Sequence, residues 1–125
     1  MNETEEIYKE NIIEHYKHPQ NKGKINKPDI KKKGYNPLCG DYITLYIKIK
    51  NNKIEDIKFE GEGCAISQAS ASLLSEEIKG KTKEEIKQLT KENIFELIGI
   101  RVSPVRMKCA LLSLKTLQEG MEQWH

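Results

Sequence analysis

Three cysteines and one aspartate are the residues of this chain best suited to chemistry. Cys39 and Asp41 fall in a predicted turn before a strand. Cys64 precedes a predicted helix, and Cys109 lies near the start of the last one. Side chains at the ends of elements can reach a ligand without burying unpaired backbone groups. An odd number of thiols also argues against a disulfide framework, which leaves packing, catalysis or metal binding.

The local sequence around two of the cysteines favours reactive, accessible sulfur. Cys39 and Asp41 are two residues apart, so in extended backbone their side chains project to the same side, with Gly40 adding no bulk. The helix predicted to follow Cys64 directs unpaired N–H groups and partial positive charge at its sulfur. These features predict a thiolate at Cys64 and a thiolate–carboxylate pair before the second strand.

Three thiolates and one carboxylate form a ligand set that suits tetrahedral zinc or the irons of a small cluster. An oxygen ligand matches sulfide-bridged iron less well than a thiolate, so Asp41 is expected to make a cluster easier to release. Lys108, beside Cys109, is a further candidate that adds positive charge if its ammonium group turns toward the site. It is predicted to modulate the site rather than to bind metal, because a protonated lysine has no free lone pair.

The cysteines have a plainer interpretation as small buried hydrophobic residues, which is the usual fate of a free thiol. Their separations of 25 and 45 residues match no short metal-binding motif. The glycines beside Cys39 and Cys64 favour an open site instead, because a core sulfur is normally surrounded by bulkier neighbours. Spacing alone leaves both alternatives standing.

Hydrophobic periodicity predicts the elements that position these residues. A first amphipathic helix covers residues 1–20, with apolar positions at three- and four-residue steps, and Pro19 stops it. Residues 21–34 are predicted as a flexible basic loop that runs into a first short strand near 30–35. Alternation over 42–50 and 53–60 across Asn51-Asn52 predicts an antiparallel hairpin.

The second half of the chain is predicted to be helical. A helix from Cys64 ends at Gly80, a capping box of Thr82 and Glu85 opens a short one, and another covers 91–100. Ser103 and Pro104 begin a last helix to about residue 122. Its predicted buried positions are Val105, Leu111, Leu112, Leu114 and Leu117. One helix, three strands and then several helices predict an α+β fold, a three-stranded antiparallel sheet packed against several helices.

Composition bounds the kind of protein. The 125 residues predict one domain over 1–125, and 37% hydrophobic with 32% charged residues is typical of a globular chain. No stretch approaches the roughly 20 apolar residues of a membrane span, so the chain is expected in the cytoplasm. A net charge of +2 and the lack of aromatic residues among the lysines of residues 22–33 argue against nucleic acid as a partner. The lack of a long apolar stretch argues against a membrane.

These same residues resemble one family. The stretches HYKHPQNKG at 15–23, NPLCGD at 36–41 and GEGCAISQAS at 61–70, with the region around Cys109, are similar to the IscU and NifU N-terminal scaffolds and the related SufU proteins, across nearly the whole chain. The resemblance implies a SufE/NifU-like fold and a scaffold that receives sulfur from a cysteine desulfurase or another donor. It then combines the sulfur with iron as a transient 2Fe-2S cluster and passes the cluster to apo-proteins. The family resemblance implies Cys39, Asp41, Cys64 and Cys109 as cluster ligands, zinc at the same residues in the apo form, and a possible homo-oligomer when the cluster is bound.

The sequence departs from the family pattern at two places. Lys108 stands where IscU proteins have histidine, as in SufU, yet the insertion that SufU carries before its third cysteine is missing. The resemblance therefore keeps an alternative function open, a zinc-dependent sulfurtransferase in which Cys109 is the candidate persulfide acceptor. The chaperone segment of the family reads Val102 to Arg106 here and retains only Pro-Val and a basic residue, so it does not predict chaperone dependence. A structural zinc domain is the third alternative.

Overall fold

The computed structural model describes residues 3–37 and 40–125, with side chains described from residue 6 onward. Its order is α1 (Glu3–Lys17), β1 (Ile30–Asn36), β2 (Asp41–Lys50), β3 (Lys53–Glu62), α2 (Ala65–Ile78), α3 (Lys83–Lys87), α4 (Lys91–Ile98) and α5 (Pro104–Gly120), then a 3-10 turn at Met121–Gln123. The predicted α+β fold is confirmed. The loop predicted to reach residue 34 ends at Asp29, because β1 already begins at Ile30.

The sheet is antiparallel throughout, with strand order β1-β2-β3. Asn51 and Asn52 both have positive φ angles, of 54° and 59°, which form the tight turn between β2 and β3. Asparagine tolerates this left-handed backbone better than most residues, so the pair fixes the hairpin predicted from the alternating pattern.

The helices lie on one face of the sheet and bury the core against it. Ile47 of β2, Phe59 of β3 and Leu117 of α5 are all fully buried. Gly34 of β1 lets α5 approach closely, because an added Cβ would collide with the Thr116 side chain. This close contact between β1 and α5 sets the position of Cys109 relative to the sheet.

The last helix begins as predicted but buries less of its first turns than predicted. The Ser103 side chain accepts a hydrogen bond from the Arg106 N–H, and Pro104 occupies the first turn. Leu112, Leu114 and Leu117 are buried and Leu111 is half-buried, but the prediction for Val105 is wrong, since its side chain is 57% exposed. Residues 103–108 all lie exposed, because α5 becomes buried only from Cys109 onward.

The first helix is joined to α2 by polar contacts rather than by a broad apolar face. Ile12 is buried, whereas Ile7, Ile13 and Tyr16 are exposed. The Ser72 hydroxyl lies 2.7 Å from His15 Nδ1 and accepts a 2.7 Å hydrogen bond from the Gln20 N–H. Ser72 therefore fixes the end of α1 and the orientation of the His15 ring. Within the described residues no helix is long and apolar enough to cross a bilayer.

Candidate functional site

Three of the four predicted ligand residues meet at one end of the sheet. Asp41 begins β2, Cys64 directly precedes α2, and Cys109 lies in the second turn of α5. One ligand atom from each lies within 4.8 Å of the other two. Asp41 and Cys109 are buried and Cys64 is half-buried, so the group is reached from the side of Cys64. Cys39 lies outside the described residues.

The turn before Asp41 differs from the extended backbone assumed in the sequence analysis. Gly40 has a left-handed φ of 70°, and its N–H donates a 2.9 Å hydrogen bond to the Asn36 carbonyl. Asn36 and Asp41 face each other in the β1–β2 register, so the end of β1 lies opposite the start of β2. The backbone at Gly40 is therefore not extended, and because Cys39 lies outside the described residues, its alignment with Asp41 stays a prediction. The glycine is required for its positive φ rather than for its lack of bulk alone.

Asp41 has the burial and the vacant lone pairs of a metal ligand. Its side chain is 4% exposed, and among the described residues Oδ2 is buried with no hydrogen-bond partner. A buried carboxylate oxygen without a donor is costly, and such an atom calls for a functional explanation. A cation held between Asp41 and the two sulfur atoms supplies the missing partner, so the residues present fit a thiophilic metal or an iron–sulfur cluster.

The environment of Cys64 favours its thiolate. Burial of the sulfur raises its pKa, but the backbone N–H groups of Ser67 and Ile66 and hydrogen bonds from Cys109 and Arg106 lower it, and the net pKa is lowered. Ser67 and Ile66 belong to the first turn of α2, so the predicted effect of the helix start is confirmed. A thiolate at ordinary pH is both a metal ligand and a nucleophile.

The positive charge at the site comes from a residue that the sequence analysis passed over. Arg106 hydrogen-bonds Cys64, whereas Lys108 is exposed and lines a neighbouring cavity with Asn36 and Pro37. Arg106 and Cys109 are three residues apart on α5 and therefore lie on one face of the helix. That spacing is the sequence signal from which the position of Arg106 at the site could have been predicted. A modulating role for Lys108 stays a prediction.

Asn36 is a second residue that sequence reasoning missed. It is 6% exposed, and its Nδ2 lies 3.6 Å from Cys109 Sγ, a distance suited to an N–H donating to sulfur. A donor at this place stabilises negative charge on the sulfur and holds its position relative to the sheet. Asn36 and Cys109 are distant in the sequence, so their proximity depends on the packing of β1 against α5.

The fold and the sequence place this chain in a known family. Residues 7–125 match the NifU-like N terminal domain, and the chain belongs to that family. It is 39% identical to the zinc-dependent sulfurtransferase SufU of Bacillus subtilis, over 92% of this chain and 89% of the relative. It is 38% identical to the iron-sulfur cluster assembly scaffold protein IscU 1 of Archaeoglobus fulgidus, over 92% of this chain and 74% of the relative.

A solved structure is similar to this chain in both fold and sequence. The chain is similar to the putative iron-sulfur cluster assembly scaffold protein for the SUF system from Fervidobacterium islandicum AW-1, with a TM-score of 0.80 and 36% identity over 94% of this chain and 98% of that one. The alignment with SufU covers 132 positions, more than the 125 residues of this chain, so that relative contains residues that this chain lacks.

Proposed function

We propose that this chain is a non-enzymatic scaffold that accepts sulfur and iron, builds a labile 2Fe-2S cluster and transfers it to apo-proteins. The observation that carries the proposal is the convergence of the buried, unpartnered Asp41 carboxylate with two thiols within 4.8 Å. Thiolates suit iron and sulfide, and the harder oxygen ligand favours release. The iron and the sulfide are cargo in this function.

The proposed ligands are Cys39, Asp41, Cys64 and Cys109. Cys39 is included on the sequence and the family resemblance, whereas the other three are supported by their proximity. Cys109 is fully buried beside Asn36, and Cys64 is the more accessible thiolate. This asymmetry supports a loading order in which cargo first meets Cys64 and is then enclosed by Asp41 and Cys109. The proposed partners are a sulfur donor, such as a cysteine desulfurase, and apo iron–sulfur proteins.

A second function, zinc-dependent sulfur transfer, is favoured by one specific observation. Two thiols and a carboxylate also fit tetrahedral zinc, and a relative at 39% identity is a zinc-dependent sulfurtransferase. In that function a thiolate of the site attacks a persulfide, the S–S bond breaks, the outer sulfur passes to the attacking residue, and the donor leaves as a thiolate. Cys109 stays the candidate acceptor.

One experiment separates the two functions. The zinc-free protein is reconstituted anaerobically with ferrous iron and sulfide, its visible absorbance is recorded, and cluster delivery to an apo-ferredoxin is followed. The scaffold function predicts a 2Fe-2S spectrum and ferredoxin activation. No transferable cluster, together with zinc-dependent stimulation of a cysteine desulfurase, would instead establish the sulfurtransferase.

A further inference from the structure

We propose that the free edge of β1 beside α5 binds an extended, acidic and apolar segment of another protein, which adds a fourth strand to the sheet and ends at the site. This interaction surface consists of Lys33, Tyr35, Leu111, Leu112 and Lys115 and is called the β1–α5 groove below. It goes beyond the proposed function, because binding of a peptide strand does not depend on which cargo the site holds.

The fold covers its two sheet edges unequally. On β3, the Phe59 carbonyl accepts a 2.8 Å hydrogen bond from the Gly23 N–H, and Ile54 exchanges backbone hydrogen bonds with Gly80 and Lys81. On β1, the cover is the Gln123 side chain, whose amide bonds both the N–H and the carbonyl of Lys31, at 3.2 and 3.0 Å. Among the described residues, no other element bonds to the backbone groups further along β1, which therefore lie at an open edge.

The pairing pattern of β1 shows which of its backbone N–H and carbonyl groups point to the free edge. Antiparallel strands direct the backbone groups of alternate residues to opposite sides. Since Lys31 directs both of its groups away from β2 and toward Gln123, Lys33 and Tyr35 direct theirs to the same free edge. Among the described residues neither has a backbone hydrogen bond outside the sheet ladder. The two residues therefore offer two N–H donors and two carbonyl acceptors to an added strand.

A groove lies alongside this edge. A cavity of about 370 Å³ is lined by Tyr35, Leu111, Leu112 and residues nearer the site, and a second of about 220 Å³ continues it along Lys33 and Lys115. Leu111 is half-buried and Leu112 is buried at the floor of the groove. They offer an apolar surface to alternate residues of an added strand. A strand bound there therefore needs apolar residues at every second position.

The charge of the groove determines which residues of a bound strand fit between its apolar positions. Lys33, Lys108 and Lys115 line it, against the single carboxylate of Glu119. Lysines on an edge strand usually prevent pairing, but the Lys33 ammonium lies 4.9 Å from the Tyr42 ring centroid, over the outer face of the sheet. The lysine thus leaves the edge open while it keeps the surface positive, which fits an acidic partner segment.

The same charges argue against a second copy of this chain as the occupant. Two copies that pair through β1 would bring the lysines at 31, 32 and 33 of each edge together, and like charges that face each other across strands are destabilising.

The groove leads to the site through Asn36, which lines the larger cavity and donates to Cys109 Sγ. A bound strand therefore brings its end to the sulfur that the site buries most deeply.

The test uses a pool of fluorescein-labelled ten-residue peptides in which glutamate alternates with valine or leucine. We expect saturable binding to the full chain by fluorescence anisotropy, with slowed amide exchange at Lys33 and Tyr35 in NMR spectra. The same peptides with N-methylated amides at the pairing positions are expected to bind about 10- to 30-fold more weakly, as for the loss of two backbone hydrogen bonds. Peptides with lysine in place of glutamate are expected not to bind.

Matched variants of the protein separate the groove from general charge. Lys115→Glu is expected to weaken binding at least about threefold, whereas Lys87→Glu, on exposed α3 away from the groove, is expected to leave it unchanged. Equal binding of the N-methylated peptides, an equal effect of the two variants, or no binding would overturn the proposal. So would dimerisation through Lys33 and Tyr35, seen as concentration-dependent changes at their amides. Cluster assembly is measured separately, so either proposal can fail without the other.

Discussion

Asp41 combines its proposed role as a ligand with a cost to stability. Its Oδ2 atom is buried without a hydrogen-bond partner among the described residues, and such an atom costs about 1–3 kcal/mol in the free energy of folding. Such an atom calls for an explanation, and in the proposed function the cargo supplies the missing partner. The carboxylate that costs folding free energy would then also be the ligand that keeps a cluster labile.

Replacing Asp41 with alanine is therefore expected to change stability and transfer in opposite ways. The melting temperature of the metal-free protein should rise, while cluster transfer to apo-ferredoxin should slow, because the labile oxygen ligand is gone. Thermal unfolding followed by circular dichroism and transfer kinetics measure the two effects. Asp29→Ala is the matched control, since Asp29 accepts a 2.7 Å hydrogen bond from the Ile49 N–H: it should lower stability and leave transfer unchanged. An unchanged transfer rate in Asp41→Ala would refute the labile role.

The thiol of Cys64 is expected to react at lower pH than an ordinary cysteine. Its pKa is lowered although burial alone raises it, so its thiolate forms at a pH where an unperturbed thiol is still protonated. In metal-free protein, iodoacetamide labelling of Cys64, followed by peptide mass spectrometry, should therefore rise at lower pH than in the denatured chain. Arg106→Gln should shift this rise to higher pH, and Arg101→Gln should not. Identical profiles for the two variants would exclude Arg106 as a source of the shift.

At the scale of elements, Gly63 allows β3 and α2 to enclose the aspartate. A Cβ atom at this position would lie 3.0 Å from Asp41 Cγ and would also collide with the Ser67 hydroxyl. The backbone there is not left-handed, so the requirement for glycine is one of space. The sequence shows a glycine beside a cysteine, but only packing shows that the glycine makes room for a residue of another strand.

Gly63→Ala is accordingly expected to displace Asp41 and to weaken zinc binding by about tenfold or more, as is typical of changes around metal ligands. Competition with a chromophoric chelator measures the affinity. Gly120→Ala is the matched control, because a Cβ there meets side-chain atoms of Ile30 and Lys32 at an ordinary 3.4 Å. It should leave affinity intact and slightly stabilise α5. Equal zinc affinity in the two variants would contradict the crowding at Asp41.

The Ser72 hydroxyl makes two of the polar contacts between α2 and the end of α1. Ser72→Ala leaves His15 Nδ1 and the Gln20 N–H without their shared partner, so we expect a loss of about 1–3 kcal/mol in the free energy of unfolding, measured with urea. Ser113→Ala is the control, since among the described residues its buried hydroxyl oxygen has no partner. It should be neutral or stabilising. Similar losses in both variants would show that burial, rather than hydrogen bonding, determines the effect.

At the scale of the whole molecule, the site and the core are separate. The described members of the proposed ligand set lie at the start of β2, before α2 and in the second turn of α5, outside the core cluster, which includes fully buried residues such as Ile47, Phe59 and Leu117. We therefore expect the chain to fold without metal, in contrast to small zinc domains whose ligands replace a core. A scaffold also has to persist between the release of one cluster and the assembly of the next.

Removal of zinc is therefore expected to leave the chain folded. The far- and near-ultraviolet circular dichroism should be retained after chelation. The free energy of unfolding should fall only by the binding contribution, about 2.7 kcal/mol when zinc was present at 100 times its dissociation constant. Zinc titration monitored by thermal unfolding measures this dependence. Loss of the near-ultraviolet signal on chelation would establish the structural zinc domain instead.

The sequence by itself determined the elements of this protein and their order. The Asn51-Asn52 hairpin, the Thr82 capping box and the Ser103-Pro104 helix start are local features, and each was predictable because its cause lies within a few residues. The placement of the cysteines at junctions was equally local. The family resemblance added a ligand set, which spacing alone had left open.

Tertiary structure alone decided how these parts meet. Cys64 and Cys109 are 45 residues apart, so their proximity depends on how α2 and α5 pack against the sheet. The same packing places Asn36 against Cys109 and leaves the edge of β1 open, and it exposes Val105 where periodicity predicted burial. The physical reason is that local sequence fixes backbone conformation, whereas burial and charge at a site depend on elements distant in the chain.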